Sequence, residues 1–359
     1  MNSPSPSMTR TTGFQHAWRL AAIALVAVRF VQGWIYWGGG SRRFIYAPSK
    51  LDPHAAHWMA YKFQTAMPGA ILGMDHVVSW LLLHFFWLYA GVIAFSLVEL
   101  IAGLMLITGT LTRLAAAVSM GLSFVLMLLF GWQGATCIDE WTMAACNFGM
   151  GVTLLLAGGG AWSIDSYLAG RHPSLANKRW FQWLGGVAPV PLGDKGIKTL
   201  SGILLGLCVL FVVGTYDYYR GSVVSPFHAG PVSPTTHHWA LSHAQLNRDG
   251  QVRFAAYIDA GTPEAASYVV QATLAQAGGS TVERWDTAAL AHLPRQAIAN
   301  VYAYQKIHAG PFGLVGPIGA KADITLSPAA PTQDLAAGHY VLTLTSVSGH
   351  HWSVEIDRP

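Results

Sequence analysis

The sequence predicts an all-α membrane helical bundle of about five transmembrane helices, followed by a small all-β sandwich-like soluble domain. Three observations carry this. Hydrophobic residues make up 52% of the 359 residues and charged residues only 11%, where a soluble domain carries about 25% charged. Apolar runs long enough to cross a bilayer recur up to Tyr219. Beyond Tyr219, Gly221, Ser222, Pro226, Pro231 and Pro234 open a linker, and short β-branched and aromatic runs replace the long ones.

A bilayer core needs about 20 mostly apolar helical residues. The expected spans are Trp18–Trp37, Trp80–Thr108, Leu114–Trp132, Trp141–Ala157 and Ile197–Tyr216. Trp18, Trp34, Trp37, Trp80, Trp132, Trp141 and Tyr216 sit at their ends, as interfacial aromatics do. The second span is long and the fourth short. A cleaved signal peptide is the rival reading of the first, but the run continues through Arg29 into an aromatic cluster without a small-residue cleavage site.

Lys and Arg in the connections set the expected topology. Arg10, Arg19, Arg113, Arg171, Lys178, Arg179, Lys195 and Lys198 fall on one side, and Arg42, Arg43, Lys50, Lys62 and Arg220 on the other. This bias places the N-terminus in the cytoplasm. The loops 38–79 and 133–140 and the C-terminal domain then lie outside a cytoplasmic (inner) membrane. The division is residues 1–170 as a four-helix membrane domain, 171–220 as a cytoplasmic connection and fifth transmembrane helix, and 221–359 as an extracytoplasmic β domain.

In the soluble domain the expected strands are Val252–Ile258, Tyr268–Leu274, Asn300–Ile307, Asp323–Leu326, Tyr340–Ser346 and Trp352–Ile356. Asp249-Gly250, Gly278-Gly279 and Ser348-Gly349 are turn signals between runs, and Asp286–Ile298 reads as a helical or irregular insertion. The domain has no cysteine and so no internal disulfide.

Several chemistries are disfavoured. No basic stripe interleaved with aromatics points to nucleic acid. Cys137, Cys146 and Cys208 form no C-x-x-C, which disfavours covalent haem, iron–sulfur and structural zinc. Haem b needs facing histidines, and only His84, with His76 at the edge, falls in a span. No haem, flavin or metal site is recognised.

Arg29 and Glu99 are ionisable residues within spans. Each lies about ten residues, or ~15 Å, from the inner end of its helix, so the two are expected to pair. The pair either fixes helix packing or handles protons or quinone. Small residues such as Gly91, Ala94, Ala102, Gly103 and Gly121 permit close helix approach.

The densest polar segment is Trp132 to Trp141, with Thr136, Cys137, Asp139 and Glu140. A helix N-terminus can lower a cysteine pKa, although the adjacent carboxylates oppose this. Thr136 and Asp139 equally match a capping box. Cys137 and Cys146 form a disulfide only with Cα atoms within about 7 Å. Cys208 is read as a packing residue.

These residues resemble the thiosulfate:quinone oxidoreductase family in a form with its two subunits, DoxD and DoxA, fused in one chain. The DoxD-like marks are Arg29, Arg43-Phe44, Ala47-Pro48, Lys50-Leu51-Asp52-Pro53, Glu99-Leu100 with Gly103, and Gly109 with Leu111-Thr112-Arg113. Trp132 with Thr136-Cys137 and Asp139-Glu140-Trp141, then Ser163-Ile164-Asp165, complete them. The DoxA-like marks are Gly310-Pro311-Phe312 and Pro317 to Ala322. The Glu99–Arg113 stretch is shared with the wider DoxX-like membrane group. The resemblance implies oxidation of thiosulfate to tetrathionate outside the membrane, with membrane quinone as diffusible acceptor. Cys137, Asp139, Glu140 and Cys146 are then the catalytic candidates, and Arg42, Arg43, Lys50 and Lys62 the cations for the dianion. Arg29, Glu99, Trp132 and Trp141 are candidates for quinone or proton handling. A thiol–disulfide cycle at Cys137 and Cys146 would couple the two donors to a two-electron acceptor. The alternative is a non-enzymatic DoxX-like adaptor for a sulfur-metabolising or oxidase partner. A homo-oligomer or a respiratory partner is compatible with either reading.

Overall fold

The computed structural model describes residues 6–46, 48–134, 140–187, 190–221, 232–276, 278–328 and 335–358, with side chains from residue 16 onward. The chain forms two compact units. One comprises Met1–Ala56, Tyr89–Met127 and Glu140–Ala229; the other comprises His57–Leu88, Leu128–Asp139 and Gly230–Pro359.

In chain order the helices are α1 (Pro6–Ser41), α2 (Met59–Ala66), α3 (Met74–Leu83), α4 (Phe85–Thr108), α5 (Thr112–Phe130) and α6 (Glu140–Ala157). The short α7 (Ile164–Arg171), α8 (Pro173–Ala176) and α9 (Arg179–Leu184) lead to α10 (Asp194–Arg220). Among the described residues, four helices are long and apolar enough to cross a membrane: His16–Tyr46, Phe85–Thr108, Thr112–Phe130 and Asp194–Arg220. The other expected span is α6, an 18-residue helix that opens on Glu140 and carries the polar Asn147 within it. Its face of Ala144, Asn147, Phe148, Gly151 and Val152 is buried, and it packs on α1 and α10.

The bundle has the burial pattern of a lipid-solvated protein. Phe30, Trp34, Leu97, Ile101, Leu104, Leu205, Val209 and Leu210 are exposed, while Gln32, Ser96, Ser119, Ser123 and Asn147 are buried.

α1 and α4 pack through glycine. A Cβ on Gly33 would lie 2.8 Å from the Ile107 nitrogen, and one on Gly40 would lie 2.7 Å from the Leu100 nitrogen. Close approach of small residues is how apolar helices associate where the hydrophobic effect is spent. Gly109 ends α4 at φ +68°. Its N–H donates to the Leu106 carbonyl and that of Thr110 to the Met105 carbonyl, the left-handed helix stop that glycine favours.

The long second span is broken rather than continuous. His84 (φ −122°, ψ 81°) leaves the helical region and separates α3 from α4. After α1 the chain makes a π-helical turn over Arg42–Tyr46.

The C-terminal part is all-β. The strands are β1 (His238–Leu246), β2 (Val252–Ala260), β3 (Ser267–Gln276), β4 (Thr281–Trp285), β5 (Ile298–Asn300) and β6 (His308–Gly310). They continue with β7 (Gly313–Gly316), β8 (Lys321–Leu326), β9 (Gly338–Ser346) and β10 (His351–Arg358), and α11 (Thr287–Ala291) lies after β4. One antiparallel sheet has the order β1-β2-β8-β5, the other β10-β9-β3-β7-β6 with β4 also on β3. Alternation sets the core: Phe254, Ala256 and Ile258 of β2 are buried, as are Leu342 and Leu344 of β9, the period of two that a half-buried strand shows. Trp239 donates from its indole N–H to Ser267 Oγ at 2.9 Å. The expected strand Asn300–Ile307 is instead irregular between β5 and β6. Its Asn300 side chain bonds Ile307 N and O across the loop, which stands in for a ladder.

Candidate functional site

Three buried polar groups occupy the helical unit. The first joins Arg43 to Glu99. Arg43 Nη1 pairs with Glu99 Oε2 and donates to Ser96 Oγ at 3.3 Å. The guanidinium also stands 5.9 Å from the centroid of Phe95. The two side chains are 15% and 13% exposed. The π turn after α1 aims Arg43 back onto α4.

This corrects the expected Arg29–Glu99 pair. Gly33 faces Gly103 and Ile107, and Gly40 faces Leu100. In that antiparallel register Arg29 falls opposite Gly109, one helix end away from Glu99. The sequence-based depths matched only because α1 was taken to begin crossing at Trp18.

Arg29 belongs to a second group. It donates to the carbonyl oxygens of Gly159 and, at 3.1 Å, Trp162. Arg113 donates to Leu155 O at 3.1 Å, Gln182 O at 3.0 Å and Gly185 O at 2.7 Å. Between them Asp165, fully buried, accepts from Leu111 N (2.8 Å), Thr112 N (3.0 Å), Thr112 Oγ1 (3.0 Å) and Gly186 N (2.6 Å). Its charge acts on both arginines. The carboxylate caps the N-terminus of α5, where free N–H groups favour an anion. The arginines take carbonyls at and just after the end of α6 and at the end of α9, and a helix C-terminus favours cations. This is an architectural knot, and it consumes Gly109-x-Leu111-Thr112-Arg113 and Ser163-Ile164-Asp165.

The third group lies among α1, α5 and α6. Gln32 Nε2 donates to Ser119 Oγ at 2.9 Å and Asn147 O at 2.7 Å. The Tyr36 hydroxyl is 2.8 Å from both Ser119 O and Ser123 Oγ.

The other unit holds its own polar joint. Gln64 is fully buried. Its amide donates to Gln305 O at 2.9 Å and Gly319 O at 3.0 Å, and accepts from Gln305 N at 2.8 Å. Gly319, at φ +77°, lies so close to Gln64 O that no Cβ fits. Trp132 Nε1 donates to Ala66 O at 2.9 Å and Gln133 Nε2 to Thr65 O at 2.8 Å. Tyr302 shares a hydrogen bond with Ser79 at 2.8 Å. Burial, with the negative charge of Tyr302, Asp259 and Asp75 next in order, pushes the Tyr257 phenol well above its ordinary range.

The sequence-predicted residues therefore scatter. Arg43 and Glu99 meet, and Arg29 stands apart from them. Trp132 packs on Ala66 and Gly69. Trp141 donates to Thr215 Oγ1 at 2.9 Å and meets Tyr216 edge-on. Arg42 is exposed and Lys50 half-buried; Lys62 is exposed with its Nζ 5.1 Å from the Phe130 centroid. Glu140 is the first residue of α6, and Cys146 is an exposed free thiol on that helix. Cys137 and Asp139 lie outside the described residues. Gln32, Tyr36, Ser119, Ser123, Asn147 and Gln64 are not among the residues that the sequence motifs single out. Their signal was present as polar residues four apart within apolar runs, at 32 and 36 and at 119 and 123.

Fold and buried polar groups together define a helical membrane protein carrying an all-β domain of two antiparallel sheets. Residues 25–190 match the family model described as TQO small subunit DoxD, and residues 219–355 match TQO small subunit DoxA. The chain belongs to this family of thiosulfate:quinone oxidoreductase-type subunits, with the DoxD part first and the DoxA part second.

Proposed function

We propose that the protein oxidises thiosulfate to tetrathionate on the outer side of the cytoplasmic membrane and delivers the electrons to membrane quinone. Two thiosulfates join through a new S–S bond and release two electrons; quinone takes these with two protons to give quinol. The observation that carries the reading is the pairing of DoxD and DoxA matches in one chain, in that order. The Lys/Arg bias favours an extracytoplasmic β domain. Arg42, Lys50 and Lys62 are the cations assigned to the dianion, and Glu99 with its Arg43 partner is the group assigned to proton handling. Cys137→Ser and Cys146→Ser test whether thiols carry the electrons: loss of turnover in both supports that route, and retention in both excludes it and makes Glu99, Asp139 and Glu140 the candidates for the proton steps.

A second reading, a non-enzymatic DoxX-like adaptor, is favoured by one observation. Thr112 and Arg113 of the shared stretch engage other parts of the same unit, so these two residues serve architecture rather than chemistry. Purified protein given thiosulfate and a short-chain quinone separates the readings. Quinol and tetrathionate in a one-to-one ratio support the enzyme; neither product supports the adaptor.

A further inference from the structure

The connection from α6 to α10 turns its aromatic rings outward. Its main chain is held from inside the helical unit. Ala161 N donates to Ala22 O and Gly159 N to Gly186 O, both at 2.8 Å. Arg29 donates to Trp162 O, and Arg113 to Gln182 O and Gly185 O. Phe181 is the buried residue of α9. Left outside are Trp162, 79% exposed, with Tyr167, Trp180 and Trp183. Trp180 and Trp183 are three apart and share a face of α9. Cations run between these rings, for Arg171, Lys178 and Arg179 are all exposed. Arg171 donates to the Tyr167 hydroxyl at 2.7 Å and stands 5.9 Å from the ring centroid. From residue 166 to residue 193 the sequence has no Asp or Glu. Among the described residues no carboxylate pairs with any of the three cations. The connection also sits at the depth of lipid-facing residues. It meets α1 at Ala22, and α1 exposes Leu20 and Ile23 on either side of that point, with Trp18 beyond.

We propose that the segment from Trp162 to Leu184 lies in the membrane interface and binds anionic phospholipid headgroups through Arg171, Lys178 and Arg179. Aromatic rings with a polar edge settle at headgroup depth. A segment with such rings and cations side by side lies in the plane of the interface rather than across it. The cations select the lipid. A phosphodiester in a headgroup of net negative charge accepts from guanidinium and ammonium donors, whereas a zwitterionic headgroup brings its own cation to the same place. The same segment carries the carbonyls that Arg29 and Arg113 hold, so lipid bound here steadies the Asp165 group from outside. This holds for the enzyme and the adaptor alike.

The test uses the full-length protein in a non-ionic detergent. It is titrated with brominated phosphatidylglycerol and, separately, with brominated phosphatidylcholine, whose bromines quench tryptophan on contact. Half-quenching at about tenfold less phosphatidylglycerol is expected at low salt, with the preference shrinking at high salt. Lys178→Gln/Arg179→Gln should cut the preference to about threefold or less; both side chains are exposed, so this variant keeps its fold. Trp180→Phe/Trp183→Phe should remove part of the quenched emission. No preference in wild type, a smaller fall in the charge variant, or unchanged quenched emission in the tryptophan variant overturns the proposal. Displacement of phosphatidylglycerol by inorganic phosphate at equal concentration also overturns it and assigns the cations to free phosphate. A detergent-stable dimer that the tryptophan variant dissolves overturns it as well and gives the face to a second copy.

Discussion

Arg43 and Glu99 neutralise each other at one end of the α1–α4 contact, with Ser96 as a further partner of the guanidinium. A half-buried pair of this kind is weak evidence for net stability, but losing one member leaves an uncompensated charge. Glu99→Gln and Arg43→Met should each destabilise the protein, by up to about 3 kcal/mol. The Arg43→Met/Glu99→Gln double variant should recover much of that loss. A double-mutant cycle of thermal unfolding in detergent checks this; simple additivity of the two losses would dissolve the pair.

Asp165 is the tightest anchor in the helical unit. Four hydrogen bonds converge on it, three from the start of α5 and one from Gly186. Asp165→Asn removes the charge that faces Arg29 and Arg113 and sets an amide N–H against donors. A loss of about 3 kcal/mol is expected, with normal secondary structure where the variant accumulates. Unfolding midpoints of wild type and variant measure it.

How much of this was legible follows from what each feature depends on. The apolar runs, the Asp249-Gly250 hairpin and the alternation in β2 are local, and the structure has them in place. Helix register is not local. Whether Glu99 meets Arg29 or Arg43 depends on where α1 is clamped against α4, and glycines at 33, 40 and 103 set that. The short strands β5, β6 and β7 have three or four residues each, too few for a pattern; β5 and β7 are held by the longer β8 and β3, and β6 pairs in turn with β7. Asp165 was visible as part of a motif, but its partners lie more than fifty positions away and at Gly186, beyond reach of spacing arguments.

Tyr257 gives a pH dependence. Burial raises its pKa in the folded state above the ordinary 10.0, so folding favours the protonated phenol. The associated stability is complete below the unfolded-state pKa and is lost as pH rises from there toward the folded-state value. Stability of the β domain should therefore decline above about pH 10. Tyr257→Phe, which has no proton to lose, should flatten that decline. Unfolding midpoints across the alkaline range compare the two.

Among the outer basic residues assigned to the dianion, Arg42 and Lys62 are exposed, and Arg43 pairs with Glu99. Arg42→Glu and Lys62→Glu should raise KM for thiosulfate several-fold at low salt, with the difference shrinking as salt screens the charges. Arg43→Met should act mainly through stability. Initial rates at two ionic strengths check this; a KM unchanged in both charge reversals would remove these residues from substrate binding.

Gln64 fastens α2 to the loop 300–307 and to Gly319. Its side chain satisfies Gln305 N, Gln305 O and Gly319 O with one planar amide. No apolar residue of similar size can do this, so Gln64→Leu strands three backbone groups in a buried place. The cost is about 2–4 kcal/mol for the unit. Gly319→Ala should do comparable damage by a different route, since a Cβ there meets Gln64 O and the backbone sits at φ +77°. Hydrogen exchange discriminates a local joint from a global weakening. Protection should fall first at residues 301–307 and 317–320 and in α2, while amides of β3 and β9, central in their sheet, keep wild-type rates. Uniform loss across both sheets would make Gln64 one more core residue rather than the fastener of α2.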